Sequence, residues 1–566
     1  MLLQALIIPL LPLVVAVPVE KRANPVVTIS NPQATITGRA GILDVDTFLA
    51  IPFAQPPVGN LRLQKPQPLK SPYGNINAGG LTSPSCPQQF FDVDDNLGVL
   101  PTAVIGMLLN TPLFQKVTGQ TEDCLTIDVV RPKGTTKDSK LPVLFWIFGG
   151  GFELGSTQTY QGGQLLQDAM NNGKPFIYVA VNYRVGGFGF LGGADIKKAG
   201  ASNLGLLDQR LGLRWVADNI AAFGGDPNKV TIWGESAGAI SVLDQMILYN
   251  GDNTYNGKPL FRGAIMNSGS IIPALDVDHP KAQAVYDQVV SYTSCSGASD
   301  KLQCLRDAPY DVYLNAVNSL PGILSYSSVN LAYLPRPDGI VLTQSPELLI
   351  QQGKYADVPF IIGDQEDEGT LFALFQSNVT TTEELVNYFV NGNWFPQSTR
   401  EQVEKLVASY PDDAAQGSPF RTGGLNNIYP QYKRLAAILG DATFTLTRRA
   451  FLAVTSAVRP NTPSWSYLSS YDYGLPILGT LHGSDIIQTF YGIFPNYAAR
   501  ATRGYYYNFI LNGNPNVGGG NFPNWPKYSE SQQLVNFVAD SSSLIKDDFR
   551  SKQYQTLVEL TSSLRV

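Results

Sequence analysis

The run Val230-Thr231-Ile232-Trp233 passes directly into Gly234-Glu235-Ser236-Ala237-Gly238. A β-branched and aromatic segment followed by G-x-S-x-G reads as a serine carried on a sharp strand-to-helix turn. At such an elbow the serine is held in a strained backbone conformation, and bulky side chains beside it would crowd the turn out. The pattern commits this part of the chain to a sheet whose strand end presents a nucleophile. It points to hydrolysis through a serine.

The rest of the chain can supply that sheet. Residues 141–148, 176–183, 230–233, 260–267 and 358–363 are short runs, apolar on both faces and rich in β-branched or aromatic side chains. Runs of this kind belong to a large, mostly parallel sheet covered by helices on both faces, an α/β architecture. Residues 209–223 have helical spacing, with Leu213, Val216 and Ile220 on one face and a stop at Gly224-Gly225-Asp226-Pro227. With 566 residues, 44% of them hydrophobic, the chain can bury a large core. No repeat, charge run or long linker divides it, so residues 23–566 read as one catalytic domain. Only 15% of residues are charged, against about 25% in an average soluble protein, and the net charge is -6. With no basic cluster, nucleic acid is excluded as a partner.

Residues 1–17 are apolar and interrupted by Gln4, Pro9 and Pro12, and the pair Lys21-Arg22 follows shortly after. Residues 1–22 therefore read as a cleaved signal peptide with a short pro-segment, which implies secretion. An oxidising compartment favours disulfides among Cys86, Cys124, Cys295 and Cys304. Four cysteines allow three pairings, and sequence neighbours are the favoured partners. Joining Cys86 to Cys124 would be worth roughly 4 kcal/mol by chain entropy, and Cys295 to Cys304 roughly 3. No Cys-x-x-Cys occurs and the chain has two histidines, so neither a metal site nor a cofactor is expected. Asn378-Val379-Thr380 is a glycosylation sequon.

A serine nucleophile needs a base. His279, in Asp278-His279-Pro280, reads as a solvated turn residue. His482 is left, flanked by small residues in Gly479-Thr480-Leu481-His482-Gly483 that would let an imidazole project toward the serine. The acid orienting it should fall between the two in sequence. Asp364, Glu366, Asp367 and Glu368 all follow the buried run 358–363, and spacing does not choose among them.

Phe148-Gly149-Gly150-Gly151-Phe152, Gly234-Glu235-Ser236-Ala237-Gly238, Asp367-Glu368-Gly369-Thr370 and the His482 segment occur together, in an order that resembles the type-B carboxylesterase/lipase family, which includes cholinesterases. Glu122-Asp123-Cys124-Leu125, Asn182-Tyr183-Arg184 and Asn203-Leu204-Gly205-Leu206 resemble its fungal lipases and sterol esterases. The resemblance implies an α/β-hydrolase fold, Glu368 as the acid, and a Ser236–His482–Glu368 triad. It also implies an oxyanion hole from the N–H groups of Gly150, Gly151 and Ala237. In the family, the loop between the first cysteine pair forms a disulfide-tethered lid.

In this chain that loop spans residues 86–124, and residues 101–109 are almost wholly apolar. A segment apolar all round is either covered or meets lipid. The expectation is a lid opening at a lipid or micelle interface, with an ordinary buried helix or a surface for a homo-oligomer as competing uses. Phe372, Phe375 and Ile240 read equally well as acyl-tunnel lining or as core. The family likeness implies sterol esters and triacylglycerols as substrates. An esterase for small or aromatic esters, and a non-catalytic binding module, are the rival readings.

Overall fold

A computed structural model describes residues 22–41, 43–89, 117–493 and 495–566. The expected leader, apart from Arg22, and residues 90–116 of the 86–124 loop expected to form the lid, its apolar stretch 101–109 included, lie outside the described residues.

Among the described residues, eleven strands make the main sheet. In chain order they are β1 (Arg39–Ala40), β2 (Val45–Pro52), β3 (Thr126–Pro132), β4 (Leu141–Ile147), β5 (Ile177–Val181), β6 (Gly225–Glu235), β7 (Gly263–Asn267), β8 (Phe360–Gln365), β9 (Ser464–Ser469), β10 (Gln533–Phe537) and β11 (Ser542–Lys546). Their spatial order is β11-β10-β9-β8-β7-β6-β4-β5-β3-β2-β1. The pairings from β10 through β5 are parallel, and both edges are antiparallel. The five expected runs are β4 to β8, and their residues are almost all buried, as strands covered on both faces must be.

Strand order positions the site. From β4 the chain moves outward to β5, then returns to lay β6 on the other side of β4. At such a reversal the loops leaving the two central strands diverge, opening a crevice at their carboxyl ends. The loop after β4 carries Gly149-Gly150-Gly151, and β6 ends at Glu235, directly before Ser236. The pair Ile147 and Gly234 is in register, so these loops start side by side.

The helix expected at 209–223 begins earlier, as Leu204–Asn219, and tightens into a 3-10 turn, Ile220–Phe223. It stops where Gly224 takes φ 90°. Leu213, Val216 and Ile220 are fully buried. Cys86 is bonded to Cys124 and Cys295 to Cys304, so sequence neighbours do pair. The large core follows the sheet, and a second cluster packs Leu371 to Phe375, Leu435 to Leu439 and Leu478 to Leu481 over the carboxyl ends of the strands. No helix among the described residues is long and apolar enough to cross a membrane.

Candidate active site

Ser236 has φ 55° and ψ −127°, a conformation that side-chain-bearing residues rarely adopt. Its N–H donates to the carbonyl of Asn267 at 2.9 Å, and its carbonyl accepts from Ile240 at 3.0 Å, which anchors both sides of the strained residue. The helix Ala237–Gly251 starts at once. The flanking glycines are required by close approach: a Cβ on Gly238 would overlap the Ile147 carbonyl oxygen, and one on Gly234 would overlap the backbone of Gly238. A Cβ on Gly149 would stand 2.9 Å from that of Ser236. Gly150 and Gly151 have φ 115° and 64°, and among the described residues no hydrogen bond uses the N–H of either.

His482 follows β9 on a loop tied to the segment after β8 by a bridge between Asp367 and Leu481. That bridge aligns the next residue on each side. His482 Nδ1 lies 2.5 Å from Glu368 Oε2, and Glu368 Oε1 accepts from the N–H of Gln365 at 2.7 Å. The other three acids are engaged elsewhere. Asp364 accepts from Arg448 Nε at 2.7 Å, and Glu366 from Arg421 Nε at 2.7 Å. Asp367 accepts from Ser418, from the N–H of Phe420 and from that of Thr480. The geometry separates four acids that spacing does not. Phe444 and Phe372 pack against the imidazole, with centroids 4.5 and 5.1 Å away.

The electrostatics follow from burial. Desolvation by itself would lower the His482 pKa, but the Glu368 carboxylate, aided by Glu235 and Asp485, raises it to about 9. Glu235 is pushed up to about 8, chiefly by burial, with the nearby imidazole pulling the other way. Among the described residues His482 Nε2 has no hydrogen-bond partner, and Glu235 Oε1 lies 3.4 Å from it. Ser236 lines the same small pocket as His482 and the three glycines, with no hydrogen bond joining the hydroxyl to Nε2. In unliganded sites such bonds are often long and tighten only with substrate.

Ser236 also opens onto a larger cavity with a predominantly apolar lining, including Ile240, Ile271, Leu331, Trp394, Leu439 and Phe444.

A model of the carboxylesterase family matches residues 23–557. The chain belongs to the carboxylesterase family. It is 60% identical over 544 residues to secreted lipase 1 of Botryotinia fuckeliana, covering 96% of this chain and 94% of that one. It is 56% identical over 549 residues to the secreted triacylglycerol lipase LIP1 of Gibberella zeae, covering 97% and 92%. The crystal structure of Aspergillus niger EstA superposes with a TM-score of 0.80 at 27% identity, over 96% of this chain and 99% of that one. This member of the family is a carboxylic ester hydrolase with the α/β-hydrolase fold.

Several expectations are refined by the structure. Ile240 lines the cavity beside Ser236. Phe372 lines the small pocket instead and braces the histidine. Phe375 is buried in the second core cluster. His279 is half-buried and caps the helix Pro280–Tyr292, its Nδ1 accepting from the N–H of Lys281. Asn378 is exposed in a turn. Among the described residues, no group of acids, histidines or cysteines could hold a metal ion. Sequence reasoning passed over Glu235, Phe444 and Asp485. The first stood inside the motif as an unassigned x, and nothing local marked the other two.

Proposed function

We propose that the protein is a secreted lipase that cleaves long-chain carboxylic esters, triacylglycerols and sterol esters among them, through an acyl-enzyme on Ser236. His482 takes the serine proton as Oγ attacks the ester carbonyl, and Glu368 holds the ring in the tautomer that leaves Nε2 free to accept it. The imidazolium then protonates the leaving alcohol, and water attacks the acyl-enzyme by the same route in reverse roles. The N–H groups of Gly150, Gly151 and Ala237 receive the tetrahedral oxyanion, a donor of this kind being worth about 3 to 4 kcal/mol. The glycines leave room for the carbonyl to approach.

The observation that carries the reading is the position of Ser236. It lines both the small pocket that holds the Glu368-bonded imidazole and the larger, predominantly apolar cavity. The names of the two relatives, secreted lipase and secreted triacylglycerol lipase, support the same substrate class and the same destination. Asn378 is the expected glycan acceptor, tested by its mass shift after glycosidase treatment.

The test is a series of para-nitrophenyl esters from acetate to palmitate, with emulsified trioleoylglycerol and a cholesteryl ester, assayed on wild type and Ser236→Ala. The expected result is kcat/KM rising with chain length, cleavage of the emulsion, and loss of all activities in the variant. A preference for acetate with no cleavage of emulsified substrate would refute the lipase reading. Full activity in Ser236→Ala would refute the site.

A further inference from the structure

The apolar cavity contains a polar group that ester hydrolysis does not use. Asp244 lies on the helix that begins after the nucleophile, with Ile240 halfway between them, and Ser236, Ile240 and Asp244 all line the cavity. Among the described residues it is the only acidic side chain to do so. It is 1% exposed, and its Oδ2 is shut off from water without a hydrogen-bond partner among the described residues. No basic side chain pairs with it among the described residues. Of the three lining threonines, Thr447 and Thr561 differ because each spends its hydroxyl on carbonyls one turn behind it, and Thr443 differs because it is only half-buried.

A buried polar group without a partner is costly, and a cavity that served only hydrocarbon would be better lined there by an apolar residue. The surrounding helix supplies such residues freely, with Val242, Leu243, Met246 and Ile247 all fully buried. Burial alone raises the Asp244 pKa well above the usual carboxylate range. With no cation beside it, the buried carboxyl favours its neutral form, which offers one donor and free acceptor capacity in the wall of an apolar space. Its natural complement is a neutral oxygen that can both donate and accept.

Position says where on the ligand that oxygen sits. Eight helical residues at about 1.5 Å each set Asp244 about 12 Å beyond Ser236, far along an acyl chain whose carbonyl is at the serine. We infer that Asp244 is a specificity-determining residue, which hydrogen-bonds an oxygen carried mid-chain by the acyl group and so favours mid-chain hydroxylated acyl esters over plain ones. This rests on the reading of the cavity as the acyl site. A site built to hydrogen-bond a substrate hydroxyl discriminates strongly against the analogue without it, because the site's own polar group is then left unpaired.

The test compares para-nitrophenyl ricinoleate with para-nitrophenyl oleate, acyl chains that differ by one mid-chain hydroxyl. Wild type is expected to favour ricinoleate in kcat/KM by about tenfold or more. Asp244→Leu should lose or invert that ratio, with a gain on oleate. Asp244→Asn keeps a donor and an acceptor and should retain the preference. Calorimetric titration of free ricinoleic and oleic acid into wild type should show the same order of affinity. Equal kcat/KM for the two esters in wild type, or an unchanged ratio in Asp244→Leu, would overturn the inference. If neither ester is cleaved, the hydrolase reading falls, and the titration decides the Asp244 inference by itself: a preference for ricinoleic acid upholds it, and equal affinity overturns it.

Discussion

Nε2 of His482 lies 3.4 Å from Oε1 of Glu235, so the residue preceding Ser236 presents its carboxyl to the side of the imidazole turned away from Glu368. Negative charge there favours the imidazolium, adding to the larger effect of Glu368. In wild type, kcat/KM for a soluble ester is expected to rise with pH as His482 loses its proton, with a midpoint near 9. Glu235→Gln removes a charge that stabilises the protonated ring, so the proton should leave at lower pH and the midpoint should fall. A pH–rate profile of the variant checks this, and an unchanged or higher midpoint would contradict it.

Glu368 and Asp364 stand four residues apart, Asp364 within β8 and Glu368 just beyond its end, with separate tasks. Glu368→Gln should reduce kcat/KM by about 10³- to 10⁴-fold with little change in unfolding temperature, because the ring loses the partner that fixes its tautomer. Asp364→Asn breaks a fully buried ion pair with Arg448, a change that costs about 3 to 5 kcal/mol. It should lower thermal stability far more than it lowers the activity of the folded fraction. Kinetics and calorimetry on both variants separate the two roles.

The central strands were legible because burial on both faces leaves an uninterrupted apolar run, as in β4 and β5. β3 was not, although all seven of its residues are buried. Asp128 and Arg131 interrupt its pattern, and both are satisfied by distant partners: Asp128 accepts from Ser83 and from the N–H of Ala50, and Arg131 pairs with Asp46. No local rule announces such compensation. The same limit applied at the site. Ser236 declared itself through its neighbours, and His482 stood out because its one competitor lay in a polar turn. Glu368 needed family likeness, since the choice among four acids depends on a bridge between residues 367 and 481. Asp244 resembled any acid on a helix, and only the cavity distinguishes it.

Gly238 tests whether the elbow depends on close packing. Its position would drive a Cβ into the Ile147 carbonyl oxygen and the backbone of Phe148, neither of which can swing aside as a side-chain tip could. Gly238→Ala is therefore expected to destabilise the fold by about 3 kcal/mol or more. Gly474→Ala is the contrast for steric overlap, since a Cβ there meets nothing within 4 Å and the cost is confined to its φ of 91°. Urea unfolding of the two variants measures the difference, and equal losses would remove the packing argument.

Glu153 follows Gly149-Gly150-Gly151 closely and is completely enclosed: Oε2 accepts from the N–H of Ile323 at 2.8 Å, and Oε1 has no partner among the described residues. Burial pushes its carboxyl up to about 8 from an ordinary 4.5. A group whose folded pKa is raised contributes stability that is complete below its unfolded pKa and lost as pH climbs through the folded one. The enzyme should therefore lose stability from Glu153 between about pH 4.5 and pH 8, by about 5 kcal/mol at most. Glu153→Gln carries no titrating proton, so its unfolding free energy should vary less with pH across that window, and the two proteins should diverge most near pH 8. Chemical denaturation at a series of pH values provides the comparison. Parallel curves for wild type and variant would show that the Glu153 carboxyl titrates alike in the folded and unfolded chains.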